Sequence, residues 1–169
     1  METAFVSGTN ILGKEGAQRK LRRMAFQIAE ANAGEAALVI AGIEGNGILL
    51  AQKLVEELNQ VFQIPISFIT IQLDKKQPRQ VTISEAQDWN DKVIIVVDDV
   101  SNTGKTLLYA LKPFLEFQPK KIQTLVLVER SHKLFSIQPD YVGLSVTTTL
   151  QEHISVVTIN NEIEGAWLY

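Results

Sequence analysis

Val93–Thr106 reads VIIVVDDVSNTGKT, and the order of residue types in it decides the fold. Val93–Val97 is a continuous, β-branched apolar run, which predicts a strand buried on both faces. Asp98 and Asp99 follow at once. The two-residue period of a strand puts their side chains on opposite faces, so they are not expected to crowd one another as a carboxylate dyad would. Ser101, Asn102, Thr103, Gly104, Lys105 and Thr106 then form a tight loop of mostly small residues. Behind it Leu107, Leu108, Leu111, Phe114 and Leu115 recur at helical spacing, and Pro113 is expected to kink or shorten the last turn. Backbone N–H groups of such a loop, at the start of a helix, make a nest for a phosphate, and Ser101, Thr103 and Thr106 add hydroxyl donors. Two carboxylates beside a phosphate nest suit a sugar phosphate. They hold ribose hydroxyls directly or through a hard cation.

Two competing nucleotide motifs fail. Gly104-Lys105-Thr106 matches the end of a triphosphate P-loop, but the glycine that motif requires ahead of it is replaced by Asp99. Gly42–Gly47 (GIEGNG) does not satisfy the dinucleotide pattern G-x-G-x-x-G.

Outward from the motif, strands and helices alternate. Ala17, Leu21, Met24, Ala25, Ile28 and Ala29 predict an amphipathic helix between Lys14 and Asn32. Ala37–Ala41 (ALVIA) reads as a buried strand that ends in the Gly42–Gly47 turn. A helix follows through Ile48, Leu49, Ala51, Leu54, Val55 and Leu58. Pro65–Leu73 is the next strand, and Val81–Ile83 a short one inside the polar segment Asp74–Asp91. Ile122–Val128 is a further buried strand, with Tyr141–Val146 and Ile154–Ile159 as candidates for two more. The pattern predicts an α/β fold with a doubly wound, mostly parallel sheet flanked by helices. Ligands of such sheets bind at the carboxyl ends of the strands, here the loops that begin at Gly42, Asp74, Asp98 and Glu129.

Composition bounds the rest. With 169 residues, 46% hydrophobic and 21% charged, the chain is read as a single domain, 1–169. Absence of cysteine removes disulfides and thiolate chemistry, and two histidines do not furnish a histidine metal cage. No apolar run approaches the roughly 20 residues of a membrane helix and no secretory signal opens the chain, so a cytoplasmic location is expected. The net charge of −3 disfavours nucleic acid as a partner and leaves RNA only a local basic patch. His153 has no partner in sequence and is read as non-catalytic. Trp89, Trp167 and Tyr169 are read as packing or subunit-contact residues.

VIIVVDDVSNTGKT resembles the phosphoribosyl-diphosphate signature of type I phosphoribosyltransferases. LVLVERSHKLFSIQPDYVG, Leu125–Gly143, is similar to the matching stretch of the pyrimidine-operon regulator and uracil phosphoribosyltransferase subgroup. Val146-Thr147-Thr148-Thr149 and the closing acidic, apolar tail fit the same order. The resemblance implies the type I fold with a reduced hood and flexible loop. It implies that Asp98 and Asp99 bind ribose hydroxyls with Mg²⁺, and that Ser101, Asn102, Thr103, Gly104, Lys105 and Thr106 hold the 5′-phosphate. By the same resemblance Glu44, Gly45, Asn46 and Gly47 face pyrophosphate, with charge added by Lys75, Lys76 and Arg79. Val128, Glu129, Arg130, Ser131 and His132 approach the base.

The chain departs from that pattern twice. Glu44-Gly45-Asn46 stands where the family usually carries a basic residue, and Asp74–Asp91 is short for its flexible loop. Three functions follow as expectations. The first is a phosphoribosyltransferase that joins ribose 5-phosphate from phosphoribosyl diphosphate to a nucleobase, uracil first. The second is a nucleotide-sensing regulator of pyrimidine genes that binds messenger RNA, and the third a catalytically silent nucleotide- or phosphate-binding homologue. A homodimer or tetramer is implied by the family alone.

Overall fold

A computed structural model describes residues 7–169. Its centre is the strand of the opening motif, which continues past the apolar residues as β5 (Val93–Ser101). It continues because β6 (Lys121–Arg130) runs parallel beside it as far as the pair Ser101↔Glu129. The ladder pairs Asp98 with Val126 and Val100 with Val128, and so carries both acids to the carboxyl end of the sheet. On its other side lies β2 (Leu38–Ile43), then β3 (Ile66–Leu73) and the short antiparallel edge β4 (Val81–Ile83). β7 (Tyr141–Val146) closes the opposite edge, giving the order β4-β3-β2-β5-β6-β7. The chain winds outward in both directions from the β2–β5 boundary, which is the switch point where such sheets bind ligands.

Alternation along β5 divides the core. Val93, Ile95 and Val97 pack with Met24 of α1 (Lys14–Ala31) and Leu54 of α2 (Asn46–Val61). Ile94 and Val96 pack on the other face with Trp89, Phe114 and α3 (Lys105–Ala110). The helix expected through Leu115 is broken: α3 stops at Ala110, and a 3₁₀ turn, Lys112–Glu116, takes over with Pro113 in its first positions. Proline has no N–H for an α-helical bond, so it is placed where none is needed. Trp89 stacks edge to face on Phe114 at 5.2 Å, in keeping with the packing role read for it.

One strand belongs to a different sheet from the one expected. Ile154–Ile159, β8, does not join the parallel sheet; it pairs antiparallel with β9 (Glu162–Leu168), which pairs in turn with β1 (Thr9–Gly13). These three strands form a separate hood of order β1-β9-β8. Its hairpin turn is Asn160-Asn161, with φ of 51° and 60°, a left-handed pair suited to the twist of a two-residue turn. Asn161→Gly is expected to leave stability within about 0.5 kcal/mol, and Asn161→Val to cost about 1–2 kcal/mol, read from urea midpoints. Equal midpoints for the two variants would contradict the turn geometry.

Candidate functional site

Where β5 ends, a cleft of about 350 Å³ opens between the main sheet and the hood. Asn46, Lys75, the 98–107 segment and residues 153–156 line it. The sequence placed the first three groups near one another; the contribution of β8 was missed. Its signal is the Asn160-Asn161 hairpin, which turns the C-terminal segment back on itself and brings 153–156 over the acids. His153, read as non-catalytic, therefore sits on the wall of the cleft.

The acid pair departs from the expected separation. Asp98 is 2% exposed, and its Oδ1 turns back to accept the Asp99 N–H at 2.9 Å. Both Oδ1 atoms face one cation, the Lys75 ammonium, at 3.3 Å from Asp98 and 4.0 Å from Asp99. The two side chains start from opposite faces, but the Lys75 ammonium reaches both. Burial, reinforced by the negative charge of Asp99 and opposed by Lys75, pushes the Asp98 carboxyl up to about 8. Gly47 sits directly against this residue: a Cβ there would lie 3.1 Å from Asp98 Oδ1 and 3.0 Å from Val97 O.

Asn46 ties three parts together. Its Nδ2 donates to Asp99 Oδ2 at 3.1 Å and to Val156 O of the hood at 2.9 Å, while its Oδ1 accepts from Thr158 Oγ1 at 3.3 Å. Glu44 and Gly45, at the same turn, are exposed. With Asn46 held in this way, the turn presents no cation to the cleft. Asn46→Ala is expected to lower the thermal midpoint by several degrees, since it leaves two acceptors without their donor at about 1–3 kcal/mol together. An unchanged midpoint would show that these bonds do not couple hood and sheet.

In the adjoining loop, Gly104 is left-handed at φ 84° and opens α3, and Thr103 Oγ1 accepts the Lys105 N–H at 3.2 Å. Ser101 Oγ and Asn102 Oδ1 are buried with no hydrogen-bond partner. Buried polar atoms are seldom left so, and orphans beside a polar cleft fit an incoming polar ligand. The carboxylate pair likewise fits a hard divalent cation. Among the described residues no group of three or more His, Asp or Glu side chains is placed to hold a metal, so such an ion needs ligand oxygens and water to complete its shell.

The charged segment after β3 enters the site through one residue. Lys75 reaches the acids, whereas Lys76 and the exposed Arg79 do not line the cleft. Their backbone carbonyls instead anchor the segment, accepting from Lys105 Nζ at 3.4 Å and Lys112 Nζ at 3.1 Å. The segment expected near a base also differs. Val128 is fully buried in the core, Glu129 is enclosed by its own neighbours, and Arg130 bonds to Thr149 O. Ser131 bonds to Thr147 and His132 is exposed. None of the five lines the cleft. For Val128, Glu129 and Arg130 the reason is that β6 continues through Arg130, so they sit in the ladder beside β7.

The family model described as "Phosphoribosyl transferase domain" matches residues 7–161. Two curated relatives bear the name Bifunctional protein PyrR. That of Ligilactobacillus salivarius is 34% identical, over 88% of this chain and 89% of its own. That of Limosilactobacillus fermentum is 36% identical, over 82% and 84%. Among solved structures, the hypoxanthine phosphoribosyltransferase of Trypanosoma cruzi superposes with a TM-score of 0.73 at 17% identity, covering 82% of each chain. A hypoxanthine phosphoribosyltransferase of Staphylococcus aureus gives a TM-score of 0.74 at 14% identity, over 94% of this chain and 89% of that one. At such identities the structures speak for the fold. No described helix is long and apolar enough to cross a membrane.

Proposed function

The chain belongs to the phosphoribosyl transferase domain family, and from that premise we propose that it transfers ribose 5-phosphate from phosphoribosyl diphosphate to a nucleobase and releases pyrophosphate. Uracil is the base to test first, on the resemblance of 125–143. One observation carries the reading: the carboxylates of Asp98 and Asp99 converge on one cation beside a loop whose buried Ser101 Oγ has no partner. In this reading Asp98 and Asp99 hold the ribose hydroxyls, residues 101–106 hold the 5′-phosphate, and the 44–47 turn faces the diphosphate. Mg²⁺ held through Asp98 and Asp99 supplies, when bound, the charge that offsets the leaving diphosphate. The protein's own part is to fix C1 of the ribose against the attacking nitrogen of the base and to exclude water. A cytoplasmic, homodimeric or tetrameric protein goes with this reading.

A second reading, binding of a nucleoside monophosphate without turnover in a regulatory or silent homologue, is favoured by the 44–47 turn. There Glu44 is exposed and Asn46 is held by Asp99 and the hood. The discriminating experiment supplies phosphoribosyl diphosphate, Mg²⁺ and a panel of bases. It follows pyrophosphate release together with calorimetric binding of nucleoside monophosphates. Base-dependent release supports transfer, monophosphate binding without release supports the second reading, and no binding of either ligand overturns both. Retention of a pyrimidine-rich RNA probe by the wild-type protein would add the regulator's partner.

A further inference from the structure

The carboxylate of Glu129, at the end of β6, is enclosed by three side chains. Lys133 Nζ donates to its Oε2 at 2.6 Å and Ser145 Oγ to its Oε1 at 3.1 Å. Gln138 Nε2 lies 3.2 Å from Oε2 and 3.4 Å from Oε1. The Glu129 and Lys133 side chains are at most a tenth exposed. A buried carboxylate is tolerated only when partnered in this way, so the cluster has one arrangement that satisfies it.

Two of the partners, Lys133 and Gln138, stand at either end of a short segment, 134–137. That segment is the floor of the phosphate-type loop. Leu134 N and Phe135 N both donate to Thr103 O, at 3.0 and 3.1 Å. Ile137 Cγ2 lies 2.9 Å from the point a Cβ on Gly104 would occupy. Neither Glu129 nor Lys133 lines the cleft, and the Lys133 ammonium is already engaged by Glu129 and Gln138.

We infer that Glu129 is a positioning residue for binding of a phosphate group. Acting through Lys133 and Gln138, it holds 134–137 against Thr103 and Gly104 and so sets the shape of the loop at 101–106. The inference rests on the reading of that loop as a 5′-phosphate site. It gives Glu129 a role different from contact with the base. Ser145 belongs to β7 and not to the segment, so its bond to Glu129 steadies the carboxylate without gripping the loop.

The test compares wild type with Glu129→Gln, Lys133→Met, Gln138→Ala and Ser145→Ala. Calorimetry measures ribose 5-phosphate, a nucleoside 5′-monophosphate and the parent nucleoside, and amide exchange follows Leu134 and Phe135. Glu129→Gln and Lys133→Met are each expected to weaken both phosphorylated ligands about tenfold to a hundredfold. Their double variant should be no weaker than the worse single one. The nucleoside should bind as before, the two amides should exchange faster, and Gln138→Ala should show a smaller loss that Ser145→Ala does not. Equal losses for nucleoside and monophosphate would overturn the inference in favour of base contact. Equal losses in Ser145→Ala and Gln138→Ala would overturn it in favour of general stability, and should Glu129→Gln not fold, this pair decides alone. Wild-type binding of ribose 5-phosphate with no change in any variant overturns the inference only. Absence of wild-type binding overturns the reading of the loop and the inference with it.

Discussion

Asp98→Asn/Asp99→Asn is expected to reduce base-dependent pyrophosphate release by roughly a thousandfold or more, because it removes both carboxyl groups aimed at the ribose and its cation. The same change has a second, opposite consequence for the fold. Asp98 is buried, and its carboxyl is pushed up to about 8 from the ordinary carboxylate value. Between that ordinary value and about 8 the unfolded chain has lost the Asp98 proton that the folded chain retains, so the contribution of Asp98 to wild-type stability falls as pH rises through this window. An amide at this position does not titrate and carries no such linkage. Asp98→Asn is therefore expected to gain on the order of a few kcal/mol at pH 7 relative to wild type, an advantage that shrinks toward pH 4. Urea midpoints at pH 4, 6 and 8, alongside the pyrophosphate assay, measure both effects. A gap between Asp98→Asn and wild type that fails to widen from pH 4 to 8 would contradict the buried, protonated Asp98. Full activity in the double variant would remove the acids from the reaction.

Gly104→Val is expected to abolish measurable ribose 5-phosphate binding and to destabilise the protein by about 3 kcal/mol, since strain and a clash act together. The φ of 84° at this position is a conformation that a β-branched residue rarely adopts. The new Cβ would also meet Ile137 Cγ2 at 2.9 Å, with Phe135 O behind it at 3.4 Å. Relief comes by turning the Ile137 side chain or by lifting 134–137 away from the loop, and the second strains the two bonds to Thr103 O. Gly34→Val is the control, because a Cβ at Gly34 meets nothing within 4 Å. Calorimetry with ribose 5-phosphate and a urea titration of both variants read the outcome. Binding retained by Gly104→Val would show that this loop does not hold the phosphate.

The strand, acid pair, loop and helix of 93–106 are legible because each depends on near neighbours in the chain: β-branching, period and a left-handed glycine. β2 and β3 are equally plain, as runs buried on both faces carry their own signal. The hood is not. β1 (TNILG) and β9 (EIEGAWL) have mixed burial and little alternation, and they pair across almost the whole length of the chain. Without that partnership in view, Ile154–Ile159 looks like one more strand of the main sheet. Helix continuity past Ala110 fails for a local reason, Pro113, whose presence announces a break without saying where it falls.

Local sequence was enough for the α/β architecture, the family and the acid–loop motif at the end of β5, because backbone preference and apolar periodicity act over a few residues. The packing of elements alone decided which of several equivalent charges meet. It brings Lys75 to the acids and leaves Lys76 and Arg79 outside, anchors Asn46 to Asp99 and Val156, and turns Glu129 away from the cleft toward Lys133. A side chain's partners are set by how elements cross and how far each strand runs. A lysine one position along an exposed segment points elsewhere, and composition does not record which one that is.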